Sequence, residues 1–153
     1  MRYHAHQSLN LLIVEDSDED FEALKRVINQ VSPFPLSIHR CLDGDDALDC
    51  LNQEGLYQQQ QTAYPELIIL DLNLPGTDGR EVLVTIKSDQ KLKIIPVIVL
   101  STSANSKDIE DCYQSGVNSY MLKPMNSRDL KDSVRLLLDY WLKAVVLPNP
   151  IHL

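Results

Sequence analysis

Acidic side chains follow two separate apolar runs at the point where each run ends. Residues 11–14 are followed by Glu15 and Asp16, and Leu67–Leu70 is followed by Asp71. Both runs are rich in leucine and isoleucine, which is typical of strands buried on both faces of a parallel sheet. Ligands bind beyond the carboxyl ends of such strands. Three carboxylates at one sheet edge repel one another unless a cation lies among them, so the pattern predicts a divalent-metal site suited to phosphoryl chemistry.

Two later apolar runs also end on polar residues. Residues 97–100 lead to Ser101, whose hydroxyl could donate to a phosphoryl oxygen; from spacing alone, capping the next helix is an equally good interpretation. Ser119–Leu122 leads to Lys123 and Pro124. A lysine that faces three carboxylates is a fixed counter-charge and could hold a phosphoryl group, whereas the plain alternative is a solvated surface lysine. The bond before Pro124 could be cis.

The strand-like runs alternate with helical patterns along the whole chain. Predicted strands cover residues 9–14, 36–41, 67–70, 97–100 and 119–122, and predicted helices cover 18–31, 45–53, 79–88, 107–115 and a last segment that starts at 126–127 and runs to about 145. Five consecutive βα units predict an α/β fold with a parallel sheet covered by helices on both faces. The polar connection 54–65 is predicted to be a solvated loop.

Composition limits the class of protein. The 153 residues are enough for one domain, so we expect a single domain over residues 1–153 with its core at about 9–145 and an apolar C-terminal extension at 146–153. The net charge of -8 argues against nucleic-acid binding. We expect no membrane association and a cytoplasmic location with three reduced cysteines that fill apolar space. The four histidines have no companion at metal-ligand spacing, and no role is assigned to them.

The ordered polar residues carry a specific resemblance. Glu15–Asp16, Asp71, Ser101 and Lys123–Pro124 occur in the order, and at the strand ends, of the response-regulator receiver domain of two-component systems. The resemblance covers about residues 9–145. It implies a doubly wound, flavodoxin-like (βα)5 fold whose five-stranded parallel sheet has the order 2-1-3-4-5, an order that the general rules of such folds already associate with a receiver domain.

The resemblance also implies a function and a role for each residue. The chain would accept a phosphoryl group from a partner histidine kinase, catalysing only its own phosphorylation and dephosphorylation, with Mg²⁺ (or Mn²⁺), no organic cofactor and no output domain. The implied roles are Asp71 as phosphoacceptor, Asp16 as a direct metal ligand, Glu15 as a ligand through water, Asn73 as a ligand through its backbone carbonyl, Ser101 as the switch hydroxyl, Tyr120 as the switch aromatic and Lys123 as the phosphoryl-binding lysine.

Narrower features indicate which regulators the chain is most similar to. The segment 100–103, the long connection 54–65 and the tail from Tyr140 onward resemble single-domain regulators that pair with cyanobacterial phytochromes. The expected kinase is therefore a phytochrome-type light sensor. The downstream effector is not identified by any residue pattern.

Three other functions compete with this interpretation. A phosphohydrolase that uses an aspartyl-phosphate usually has a second Asp two residues after the nucleophile, where this chain has Asn73. A flavin-binding protein would need a glycine- and hydroxyl-rich phosphate loop after the first strand, where this chain has Glu15 and Asp16. A receiver-like docking module that works without phosphorylation stays open, and only a labelling experiment separates it from the phosphoacceptor.

The last helix predicts an interaction surface. Its apolar stripe of Leu130, Val134, Leu137, Leu138, Trp141 and Val145 is broader than a core would need, and Val146, Leu147 and Ile151 extend it. Exposed apolar surface usually marks an interface, and Tyr and Trp are favoured anchors there. We expect a two-fold homodimer that uses Tyr140, Trp141, Val145 and Leu147 on the face between the fourth and fifth helices. The alternative is a monomer whose tail folds back over its own sheet.

Overall fold

The computed structural model describes residues 8–60 and 63–148 and contains a five-stranded parallel sheet. The strand order is β2-β1-β3-β4-β5, as predicted. The strands are β1 (Leu9–Val14), β2 (Leu36–Cys41), β3 (Leu67–Leu70), β4 (Val97–Ser101) and β5 (Ser119–Leu122). Val14 pairs with Cys41 on one side and with Leu70 on the other, so the residues that follow β1 and β3 leave the sheet at the same edge.

Five helices alternate with the strands. They are α1 (Asp18–Val31), α2 (Gly44–Asn52), α3 (Gly79–Ser88), α4 (Ser106–Gln114) and α5 (Ser127–Asp139), and a π-helical turn, Tyr140–Ala144, extends α5. Helices α2 and α4 each begin one residue before their predicted starts, because Asp43 and Asn105 cap their N-termini by accepting backbone N–H bonds. Ser17 caps α1 in the same way, accepting from the N–H of Asp20.

The core consists of two layers, one on each face of the sheet. Alternate residues of a strand point to opposite faces, so Leu12 and Val14 join the layer of α2 and α3, and Leu11 and Ile13 join the layer of α1 and α5. All four residues of β3 are buried, which is the pattern of a strand covered on both sides. Burying each such side chain contributes about 1.5–3 kcal/mol relative to leaving it exposed.

The structure corrects the expectation for the last helix. Val134, Leu137 and Leu138 are buried in the layer that α5 shares with α1, and Trp141 packs against the same layer. The prediction that this stripe exceeds the needs of the core is therefore wrong for these residues. The reason is that α1 presents its own apolar side to α5, a packing that the sequence of α5 alone does not reveal.

Two further expectations differ from the structure. The connection after α2 is less solvated than predicted, because it forms a 3-10 turn at Gly55–Tyr57 and its Tyr57 and Tyr64 pack against the core. The described residues contain no cis peptide bond, so the bond before Pro124 is trans.

Among the helices in the described ranges, none is both long and apolar enough to cross a membrane.

Candidate functional site

Three carboxylates meet at the carboxyl edge of the sheet. Glu15 follows β1 and Asp71 follows β3, and both are buried, with 4% and 6% of their surface exposed. Asp16 is exposed beside them. One carboxylate oxygen from each of the three lies within 4.8 Å of the others. The structure therefore brings together the acidic residues that the strand pattern predicts to share this edge.

The donor chemistry of this group fits a divalent cation. Carboxylate oxygens are hard ligands, and Mg²⁺ typically uses one or two of them while it keeps several waters. The exposure of Asp16 leaves that side of the site open to solvent. Asn73 is exposed two residues after Asp71 and donates its backbone N–H to Oδ1 of Asp71 at 3.3 Å. The part of its backbone carbonyl in metal binding stays a prediction.

Lys123 is the counter-charge of this site and is not a solvated surface lysine. It follows β5 directly, and its side chain is 15% exposed. Its Nζ lies 2.8 Å from Oε2 of Glu15, 3.3 Å from Oδ2 of Asp71 and 3.2 Å from Oδ2 of Asp20. Asp20 lies in the acidic first turn of α1, where carboxylates also suit the positive end of the helix dipole, and its contact with Lys123 was not predicted.

Burial and charge shift the pKa values of this pair. Burial raises the pKa of Glu15, and the charge of Asp71 raises it further, while the hydrogen bond from Lys123 acts in the opposite direction. Burial by itself would lower the pKa of Lys123, but the hydrogen bond to Glu15 and the charges of Asp71 and Glu15 outweigh burial and leave this pKa raised. Lys123 is therefore a permanent cation at neutral pH.

Ser101 and Tyr120 both contact Ser103 in the loop that follows β4. Ser101 is fully buried, and its Oγ accepts the N–H of Ser103 at 3.1 Å. Tyr120 donates its hydroxyl to the backbone carbonyl of Ser103 at 2.7 Å. Because Asn105 caps α4, the interpretation of Ser101 as the helix cap is wrong. The hydroxyl and the aromatic ring that the sequence singles out are thus linked through one loop residue.

A chain of polar contacts ties this loop to α3. Ser103 Oγ donates to Oδ2 of Asp108 at 2.6 Å, and Arg80 Nη2 donates to the same oxygen at 2.8 Å. The hydrogen bonds from Arg80 and Ser103 lower the pKa of Asp108 to about 2. Sequence reasoning missed this chain, because nothing in the spacing of Arg80 and Asp108 indicates that α3 and α4 place them side by side.

Arg40, in β2, holds the loop that carries Glu15 and Asp16. Its Nε donates to the backbone carbonyl of Glu15 at 3.0 Å, and its Nη1 lies 2.8 Å from Oδ1 of Asp18. The guanidinium also stacks on Phe21, 4.5 Å from the ring centroid. The role of Arg40 was not predicted from the sequence either. The one feature that could have indicated it is its position directly before the last residue of the edge strand β2.

Gly79 brings α3 against the phosphoacceptor segment. A Cβ atom at this position would lie 2.1 Å from the backbone oxygen of Asp71 and 2.6 Å from Cα of Leu72. Those atoms are backbone and cannot turn away, so only glycine fits. Sequence reasoning treated Gly79 only as the start of a helix.

The four predicted interface residues lie together at the end of the described chain. Tyr140 is 55% exposed and stacks edge-to-face on Trp141, with 5.3 Å between ring centroids. Trp141 and Leu147 pack against the protein's own core, and Val145 is half-buried. Trp141 and Leu147 thus contact their own core, as expected for a tail that folds back, whereas Tyr140 stays exposed. Ile151 and the rest of the extension beyond residue 148 lie outside the described residues.

Comparisons with known proteins agree with this geometry. The family model of the response regulator receiver domain matches residues 11–135. Response regulator Rcp1 of Synechocystis sp. is 41% identical over 138 residues, which cover 90% of this chain and 92% of Rcp1. Chemotaxis protein CheY-3 of Vibrio cholerae is 27% identical over 131 residues, which cover 84% of this chain and 91% of CheY-3.

Solved structures give the same result. The phosphorylated cyanobacterial phytochrome response regulator RcpA has a TM-score of 0.87 and 40% identity, and the match covers 94% of this chain and all of RcpA. The Mn²⁺-bound form of Rcp1 has a TM-score of 0.85 and 41% identity, with 92% and 99% of the two chains covered. The chain therefore belongs to the response regulator receiver domain family.

Proposed function

We propose that this receiver domain accepts a phosphoryl group on Asp71 from a sensor histidine kinase. The observation that carries the proposal is the position of Asp71, which is buried at the sheet edge between one lysine and two further carboxylates. The ammonium of Lys123 beside Asp71 reduces the repulsion that opposes attack of this carboxylate on an anionic donor. The carboxylate of Asp16 would repel the phosphate of a flavin. A structural ion pair would not need Asp16, which is exposed and is not among the ion-pair partners of Lys123.

The transfer forms one bond and breaks another. An oxygen of the Asp71 carboxylate attacks phosphorus as the bond from phosphorus to the histidine nitrogen of the donor breaks, and the imidazole leaves with the bonding electrons. Lys123, already 3.3 Å from Asp71, stabilises the negative charge that gathers on the phosphoryl oxygens. The product is an acyl phosphate on Asp71, so self-catalysed transfer and hydrolysis are the only chemistry that we assign to the chain.

The metal that we propose for the site is Mg²⁺, with Mn²⁺ as an alternative. Asp16 and Asp71 would bind it directly, Glu15 through water and Asn73 through its carbonyl, and the group of carboxylate oxygens within 4.8 Å supports this assignment. The Mn²⁺-bound structure of Rcp1 supports a divalent ion here. When bound, the cation supplies positive charge that offsets the repulsion between the carboxylates and the incoming phosphoryl group.

The contacts of Ser103 support a switch. Ser101 Oγ now accepts from Ser103 N–H, and its own proton is available for a phosphoryl oxygen. If Ser101 turns toward the phosphoryl group, the loop moves and the bond from Tyr120 to the Ser103 carbonyl must rearrange. The two arrangements differ on the surface of α4, β5 and α5, which is where we propose that a downstream partner binds.

We further propose that the partner kinase is of the phytochrome type. RcpA is a phytochrome response regulator, and this chain covers all of it at 40% identity. We also propose that residues 1–153 form one receiver domain with its core at 9–145, and that the location is cytoplasmic. The three free cysteines, Cys41, Cys50 and Cys112, support a reducing compartment.

We also propose that the surface of α4, β5 and α5 forms a homodimer. Leu122, Leu136, Tyr140 and Val146 are apolar side chains that stay at least half exposed on β5, α5 and the turn that follows. Exposed apolar side chains support a protein interface. In sedimentation at tens of micromolar, the native chain should be a dimer and Tyr140→Ala a monomer. If the native chain is a monomer both with and without phosphorylation, the proposed dimer is wrong.

Phosphotransfer from the kinase tests the proposed function. A purified phytochrome-type kinase, labelled on its histidine, should lose its label to the native chain within minutes in Mg²⁺ and keep it in the presence of a chelator. If label passes equally well in the chelator, the proposed metal dependence is wrong. If an unrelated sensor kinase transfers label as fast, the phytochrome pairing is wrong.

A further inference from the structure

A second group of metal-binding side chains lies between β2 and α2, away from the acidic site. His39 and Cys41 are two residues apart on a strand, so they point to the same face of the sheet. Cys50 lies on α2, which packs over that face. The imidazole nitrogen and the two sulfurs all lie within 4.8 Å of one another. The earlier expectation that no histidine has a companion for metal binding is therefore wrong for His39.

The hydroxyl of Tyr57 lies in the middle of this group. It is 3.3 Å from Nε2 of His39 and 3.9 Å from Sγ of Cys41, and it donates a 2.8 Å hydrogen bond to Oδ1 of Asp46. Asp46 precedes Cys50 by four residues, which places both on the same side of α2. A small polar atom is thus surrounded by an imidazole, a sulfur and a carboxylate inside an otherwise apolar layer.

We propose that His39, Cys41 and Cys50 form a site for Zn²⁺, with Asp46 as the fourth ligand once the Tyr57 hydroxyl moves away. Two thiolates, an imidazole and a carboxylate are ligands that Zn²⁺ takes in tetrahedral sites. Zinc bonds of about 2.0–2.3 Å require ligand atoms about 3.5 Å apart, so the three present ligands need only small side-chain rotations. The sulfur and nitrogen donors of this site favour Zn²⁺, whereas the oxygen donors of the acidic site favour Mg²⁺.

The ordinary role of such residues is to fill the core, and the polar contacts here argue against that role. Apolar side chains would be enough to fill the core, whereas here a ring nitrogen, two sulfurs, a hydroxyl and a carboxylate lie together. Its cover is Tyr57, which sits on the short 3-10 turn Gly55–Tyr57 and not on a helix of the core. This short turn can move Tyr57 away from the three ligands without moving β2 or α2.

Cobalt gives the most direct test, because Co²⁺ bound by thiolate absorbs in the near ultraviolet and tetrahedral Co²⁺ absorbs strongly in the visible. The reduced protein, with Mg²⁺ in excess to occupy the acidic site, should develop both bands with one equivalent of Co²⁺. One equivalent of Zn²⁺ should then abolish them. Histidine or carboxylate sites elsewhere in the chain produce no thiolate band.

Variants assign the bands to the proposed ligands. Cys50→Ser and His39→Ala should weaken Co²⁺ binding by about tenfold or more, because loss of even a group that only orients a metal ligand typically costs that much. The third buried thiol is that of Cys112, which lies on α4. Cys112→Ser should leave both bands unchanged. Absence of a thiolate band in the native protein, or its persistence in the double variant Cys41→Ser/Cys50→Ser, overturns the proposal even if single variants fold poorly.

Discussion

The ammonium of Lys123 donates a 2.8 Å hydrogen bond to Oε2 of Glu15, a residue 108 positions earlier in the chain. Their strands, β5 and β1, are separated in the sheet by β3 and β4, so the lysine side chain reaches across the sheet edge above Asp71. The buried Glu15 thus depends on a partner from the far side of the fold. Removing that partner would leave two buried carboxylates without a counter-charge, which is strongly unfavourable.

Lys123→Arg should separate charge from position. The variant keeps the positive charge but replaces a compact ammonium by a planar fork that cannot contact Glu15, Asp20 and Asp71 from one point. We expect phosphorylation by acetyl phosphate to continue about tenfold or more slowly, a loss of roughly 1.4 kcal/mol in transition-state stabilisation. We also expect amide hydrogen exchange in residues 101–105 not to change on phosphorylation. A native rate together with the native exchange change would remove Lys123 from the mechanism.

Asp16→Ala should abolish Mg²⁺ binding without loss of the fold. Asp16 is the exposed member of the acidic group, so its removal creates no buried cavity and relieves repulsion between like charges. We expect the free energy of unfolding to stay constant or to rise by up to ~1 kcal/mol. Calorimetric titration with Mg²⁺ checks the binding. If this variant binds as well as the native chain, the metal site lies elsewhere.

Gly79→Ala should destabilise the protein, because its methyl group would overlap the backbone of Asp71 and Leu72. Forcing extra atoms into a packed region costs about 1–3 kcal/mol. Denaturant unfolding measures the loss. Val84→Ala, at an exposed position on the same helix, is the matched control and should change stability by less. Equal stability of Gly79→Ala and the native chain would mean that α3 does not press on the phosphoacceptor segment.

The contacts of Asp108 predict a pH dependence in acid. Because folding lowers the pKa of Asp108 from 3.8 to about 2, the folded state favours the ionised carboxylate. Its contribution to stability is complete above about pH 4 and is lost as the pH falls toward 2. The difference in unfolding free energy between the native chain and Asp108→Asn should therefore be larger at pH 5 than at pH 2.5. A difference that stays constant over this range would show that Arg80 does not favour the charged form.

Residues at strand ends were predictable from the sequence for a physical reason. Parallel strands end at one edge, so Glu15, Asp71 and Lys123 could be grouped once the apolar runs were recognised as strands. The contact of Asp20 with Lys123 could not be predicted, because it depends on how α1 lies against the sheet. The same limit hid the contacts of Arg40, which depend on where the edge strand lies relative to the loop after β1.

Packing between elements accounts for the other differences. The burial of Val134 and Leu138 depends on α1, and no pattern within α5 shows which of its apolar residues α1 covers. The close approach at Gly79 is a backbone contact with Asp71, which leaves no trace in hydrophobic periodicity. The pairing of Cys50 with His39 and Cys41 required knowledge of how α2 crosses β2, although the spacing of His39 and Cys41 already placed those two on one face.

Phosphorylation of Asp71 is the central claim, and mass spectrometry after treatment with acetyl phosphate and Mg²⁺ tests it most directly. The native chain should gain one phosphoryl group, located on the peptide that contains Asp71, and Asp71→Asn should gain none. Asp132→Asn, a change of an exposed carboxylate on α5, should be labelled like the native chain. An unlabelled native chain would favour the phosphorylation-independent docking module, and undiminished labelling of Asp71→Asn on another residue would contradict the assignment of Asp71.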